Sequence, residues 1–123
     1  MPAGQQLGVL APDELLTEIR VPKLGESGWA YVKFHQRAQD WATVGVAAVV
    51  NGGAKIALTN MGPKPLRASA AEAAFGSGGA EAAAAAADEG SDPPGDTMGT
   101  PDFRRHLAKV LTRRALEEAM SRR

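Results

Sequence analysis

The chain has 123 residues, 14 Lys plus Arg against 14 Asp plus Glu, and no cysteine. That length sets the scale of one domain with one modest core. The lack of cysteine excludes a disulfide framework, an iron–sulfur cluster and a thiolate zinc site, and the balanced charge leaves no overall field to steer a polyanion.

Only His35 and His106 offer imidazole, far apart in sequence, so no metal site is expected. The opening "MPAGQQLGVL" has neither the basic start nor the apolar stretch of a signal peptide. No run approaches the ~18 apolar residues of a spanning helix. The expectation is a soluble, cytoplasmic protein with no membrane partner, residues 1–11 forming a flexible lead-in and 12–123 a single domain.

The first half reads as strands. "ELLTEIRVP" carries Leu16, Ile19 and Val21 and stops at Pro22; its β-branched residues and the proline favour an extended end over a helix from Asp13. "GESG" is a turn. "WAYVKFHQRA" alternates, with Trp29, Tyr31, Lys33 and His35 on one face and Ala30, Val32, Phe34 and Gln36 on the other. "TVGVAAVV" is apolar on both faces, which suits a central strand covered on both sides or packed in a tight layer. "NGG" supplies residues that tolerate positive φ in a short hairpin, and "AKIALTNMG" returns. Residues 29–38, 43–50 and 54–60 are therefore expected to form an antiparallel meander.

The second half reads as helices. In "PLRASAAEAAF", Ser69 and Glu72 have the spacing of a capping box, and Arg67 reads as a surface residue at the helix start. "GSGG" interrupts the helix and "AEAAAAAA" resumes it by propensity. Residues 81–96 hold Glu81, Asp88, Glu89, Asp92 and Asp96 and no base, whereas 102–123 hold seven bases. This predicts an acidic linker followed by a solvated basic helix. Thr100 is a good N-cap, Pro101 suits the first turn and Asp102 the dipole's positive end, so the last helix is expected over 101–121. At 100° per residue Phe103, Leu107, Val110 and Leu111 form a stripe whose centre continues through Arg114. Arg114 is expected to be at least half buried and paired. The fold class is then α+β: a three- to four-stranded antiparallel meander backed by helices, the C-terminal one long.

Little in this chain is equipped for catalysis. There is no GxGxxG, P-loop or nucleophile elbow. The bases of the last helix are scattered and lack an aromatic platform, so no nucleic-acid partner is expected. Four segments nevertheless occur in a telling order: "ELLTEIRVP", "KFHQRAQDWATVGVAAVV", "GPKPLRASAAE" and "RRHLAKVLTRRALEEA". Together they resemble the C-terminal domain of the FAD-binding (medium) subunit of molybdenum hydroxylases, the carbon monoxide dehydrogenase and xanthine dehydrogenase group. The resemblance covers nearly everything from residue 12.

The resemblance implies an α+β layer that packs on a preceding FAD-binding domain, with molybdopterin and iron–sulfur subunits as further partners. It places Arg37, Asp40 and Trp41 near the flavin edge. From the residues alone, Arg37 and Asp40 could equally form a strand-end ion pair, and Trp41 reads as a core residue ahead of a cofactor platform. Trp29, Tyr31, Lys33 and His35 read as a pocket for an anionic or planar ligand, or as a partner surface. No segment supplies the backbone N–H groups a pyrophosphate needs, so no cofactor is expected on this chain alone and FAD is expected in the complete subunit. With only eleven residues ahead of the matched region, two expectations stand: scaffold and interface for electron transfer through FAD held elsewhere, or a stand-alone C-domain that binds a small molecule or partner and catalyses a non-redox step. A homodimer through Trp29, Tyr31, Phe34 and Trp41 is also expected.

Overall fold

A computed structural model describes residues 10–123; most of the expected flexible lead-in, residues 1–9, lies outside them. Strands β1 (Gly28–Phe34), β2 (Val44–Asn51), β3 (Gly53–Thr59) and β4 (Leu66–Arg67) pair antiparallel in the order β1-β2-β3-β4. Helices α1 (Ser69–Ala85) and α2 (Pro101–Ser121) cover one face. This is the expected α+β meander, with β4 as the fourth strand. The hairpin between β2 and β3 closes at Gly52, whose φ of 75° is open to glycine at no steric cost. Residues 14–24 form neither helix nor strand, and a turn at Gly25–Glu26 leads into β1.

The core is the layer between sheet and helices. Val44, Val46, Ala48 and Val50 of β2 are buried, with Ala30 of β1 and Ile56 and Leu58 of β3 beside them in register. Facing them are Leu107, Ala108, Leu111, Ala115, Leu116 and Ala119 of α2 and Ala71 and Ala83 of α1. Small residues let backbones approach: a Cβ built on Gly28 would fall 1.9 Å from the Ala119 carbonyl oxygen. Among the described residues, however, only one face is covered. The alternate β2 residues Ala47 and Val49 remain partly exposed, which narrows the both-sides expectation for β2 to its core-facing row.

Two further readings are corrected. Arg114 is exposed, and Arg104 is the arginine within the core face of α2. The large residues Phe103 and Val110 pull the apparent stripe to one side of its true centre, which runs through small alanines. The capping box is absent: the N-cap of α1 is Ala68 and no side chain caps it. Glu72 instead accepts from Ile56 N (2.8 Å) and from both Nε and Nη2 of Arg67 (2.7 and 2.9 Å), clamping α1 to β3 and β4. The "GSGG" stretch interrupts α1 as expected: Gly79 leaves the helical conformation (φ 70°, ψ −158°), and two helical segments meet there at a kink. The N-cap of α2 is as expected, with Phe103 N donating to Thr100 Oγ1 at 3.1 Å and Pro101 at the first position.

Candidate functional site: the open sheet face and the groove beside it

The strand alternation that fills the core leaves the second face of the sheet open. Paired positions put Trp29, Val49 and Lys55 in one row, Tyr31, Ala47, Ala57 and Arg67 in the next, and Lys33, Gly45 and Thr59 in a third. Trp29 and Tyr31 stand along β1, 50% and 52% exposed. The floor between them and the bases is made of small side chains. Gly45 leaves room there: a Cβ would lie 2.6 Å from the Tyr31 hydroxyl and 2.5 Å from Thr59 Oγ1, so those side chains would have to shift. Trp29 is itself held. The Arg122 guanidinium stacks over its ring at 4.5 Å, donates to the Trp29 carbonyl at 3.0 Å and pairs with Glu118. The face thus presents two aromatics, a shallow trough and three bases, a surface suited to an anionic or apolar partner rather than to solvent.

β1 ends at Phe34, because Thr43 N turns back to donate to the Phe34 carbonyl (2.8 Å) and closes a loop over residues 35–42. His35 therefore sits past the strand, in the loop, with Nδ1 2.6 Å from the Arg37 carbonyl oxygen. Arg37 and Asp40 are brought together through the backbone: Arg37 N donates to Asp40 Oδ2 (3.1 Å) and Asp40 N to the Arg37 carbonyl (3.0 Å). The Asp40 carboxylate is spent on a tight turn, and no ion pair joins it to the Arg37 guanidinium among the described residues. The same turn throws Trp41 outward, 87% exposed; the core alternative for this residue is thereby excluded. Asn60, at φ 64°, steadies the loop by donating from Nδ2 to the Ala42 carbonyl at 2.8 Å.

Gln36, Arg37, Gln39, Asp40 and Trp41 form one wall of an open groove of about 530 Å³, and Thr97 and Met98 form the other. Thr97 and Met98 escape sequence reasoning, since they lie in a Gly- and Pro-rich linker with no local pattern. Their turn is pinned by Asp96, whose Oδ1 accepts from Met98 N (2.9 Å) and from Arg104 Nη2 (2.7 Å) while its backbone exchanges hydrogen bonds with Gly99. The Met98 amide and then the Arg104 guanidinium hold the Asp96 carboxyl below the usual range. Among the described residues no three His, Asp or Glu side chains gather as metal ligands, and no helix is long and apolar enough to cross a membrane.

Three of the groove's backbone amides are not available to a ligand. A pyrophosphate site needs several convergent, unused backbone N–H donors. In the groove the amides of Arg37, Asp40 and Met98 are all consumed internally.

Comparison with known proteins places the chain in context. The sequence profile of the "CO dehydrogenase flavoprotein C-terminal domain" matches residues 29–119. The carbon monoxide dehydrogenase medium chain of Hydrogenophaga pseudoflava is 34% identical over 131 residues, spanning 97% of this chain and 46% of that protein. The 6-hydroxypseudooxynicotine dehydrogenase complex subunit alpha of Paenarthrobacter nicotinovorans is 30% identical over 126 residues, spanning 92% and 43%. The chain thus spans less than half the length of these relatives. Among solved structures, carbon monoxide dehydrogenase from Hydrogenophaga pseudoflava superposes with a TM-score of 0.71 at 39% identity, over 80% of this chain and 38% of the other. Quinoline 2-oxidoreductase from Pseudomonas putida 86 gives 0.70 at 28% identity, over 78% and 38%.

Proposed function

The chain belongs to the family of CO dehydrogenase flavoprotein C-terminal domains, and we propose that it is the scaffold and interface domain of a molybdenum hydroxylase-type dehydrogenase. It works beside an FAD-binding portion that carries the cofactor, and with molybdopterin and iron–sulfur subunits it supports electron transfer through that flavin in the cytoplasm. Its own role is to bind and orient, not to react. The open sheet face carries this reading: Trp29, Tyr31 and their basic rim belong on a surface that another unit covers. The lead supports it. Leu15, Thr17, Ile19 and Val21 alternate with Glu14, Glu18 and Arg20 as in a strand, yet Leu15, Ile19 and Val21 are exposed and no strand among the described residues pairs with them. Arg37 and Trp41, projecting from the loop, border the flavin edge; FAD supplies the electron transfer when bound, and its pyrophosphate must be held elsewhere.

The test is to purify the chain alone and together with the FAD-binding portion of the Hydrogenophaga pseudoflava medium chain. The expected result is a colourless chain alone and a yellow complex with both parts. Flavin retained through gel filtration by the chain alone would overturn the division of labour. A chain that ignores the FAD-binding portion but scatters light as a dimer gives the open face to a second copy. A chain that ignores it and stays monomeric leaves the stand-alone binding module, with a non-redox ligand.

A further inference from the structure

Arg104 is out of character with its surroundings. It lies on the core face of α2 among Leu107, Ala108 and Leu111, and its side chain is 0% exposed. Burying a guanidinium is costly unless it is fully paired, and an apolar residue of similar volume often serves stability as well or better. Here the pairing is incomplete: neither Arg104 Nε nor the nearby-strand Thr43 Oγ1 has a hydrogen-bond partner among the described residues. Stability alone is a poor reason for this side chain.

Its two satisfied arms suggest another. Nη1 donates to the carbonyl of Thr43, where the 35–42 loop re-enters the sheet. Nη2 donates to Asp96 Oδ1, the carboxylate that also fixes the turn carrying Thr97 and Met98. One planar, rigid fork therefore touches both segments that wall the groove, and lysine, a single point donor, could not replace it. We propose that Arg104 is a positioning residue that couples the two walls of the groove, so that Trp41 and Arg37 on one side keep a fixed distance from Thr97 and Met98 on the other. The choice of groove rests on the functional reading above, but the coupling is a property of this chain and is testable without flavin.

The experiment is amide hydrogen exchange on the intact chain, with Ala48 in the core strand as the internal reference for any global loss of stability. Asp96→Ala removes an acceptor that belongs only to the 96–99 wall. It should raise exchange at Met98 and also, by about tenfold beyond any change at Ala48, at Arg37, Asp40 and Thr43 on the opposite wall. Asp96→Asn, which keeps an oxygen for both donors, should restore most of that protection. In an Arg104→Met background Asp96→Ala should have no further effect on residues 37–43; if that background does not fold, the Asp96→Ala and Asp96→Asn pair decides alone. Exchange that rises only at 96–99, or at neither wall, would overturn the coupling and leave Arg104 as a core filler. Failure of the flavin assembly test would not bear on this outcome.

Discussion

The two faces of β2 differ by one residue of register and by everything else. On one, Val44, Val46, Ala48 and Val50 are sealed beneath two helices. On the other, Gly45, Ala47 and Val49 form a floor between Trp29 and Tyr31 on β1 and Lys55 and Arg67 beyond. Both rows are made of small apolar residues, yet only one has a cover among the described residues. The difference teaches that a strand apolar on both faces implies two covers, not that one chain supplies both.

If the covered face holds the fold together, damage there should dominate. Leu116, fully buried against the sheet, should cost about 3 kcal/mol when cut to alanine, read as a shift in the denaturant midpoint with an unchanged slope. At the edge of the same layer, Thr100→Ala removes the N-cap of α2 and should cost about 1 kcal/mol. Glu72 tests the join between covering helix and sheet. Chiefly the Arg67 guanidinium, helped by Ile56 N and Lys55, lowers its pKa in the fold. The folded state then binds fewer protons than the unfolded one, so the clamp's contribution is present above about pH 4, the ordinary glutamate range, and is lost as pH falls through the lowered value. Glu72→Gln should cost up to about 1 kcal/mol at neutral pH, and its midpoint should converge with that of the unaltered chain in acid. Arg114→Ala, on the exposed side of α2, should move the midpoint by no more than about 0.5 kcal/mol; a larger loss would mean that the covered layer extends further round the helix than its burial shows.

Much of this was legible in the residues. Alternation in "WAYVKF", the "NGG" turn and the Thr100–Pro101 start each impose a local geometry that tertiary packing had no reason to override. What escaped depended on contacts distant in sequence. The phase of α2 was hidden because its core-facing positions Ala108, Ala115 and Ala119 are small, the last where the helix presses on Gly28. Glu72 has a capping-box spacing, but a backbone amide from β3 and a guanidinium from β4 compete for it and win. Trp41 turns outward because Asp40 closes a tight turn just before it, a choice the dipeptide itself does not reveal. The second wall of the groove, Thr97 and Met98, is held by Asp96, whose carboxylate takes the Met98 amide and the Arg104 guanidinium, and no local pattern encodes it.

The central claim is that the open face is an interface. Ala47→Glu tests it most directly, because Ala47 lies mid-trough beside Tyr31 and Ala57 and the new carboxylate has the exposed bases Lys33 and Lys55 on the same face. Folding stability and binding to the FAD-binding portion of a related medium chain are measured on the same sample, by denaturation and by calorimetry. The account predicts a midpoint shift under about 1 kcal/mol with binding weakened at least a hundredfold, about 2.7 kcal/mol. Full binding by the stable variant would contradict it and assign the contact to another surface.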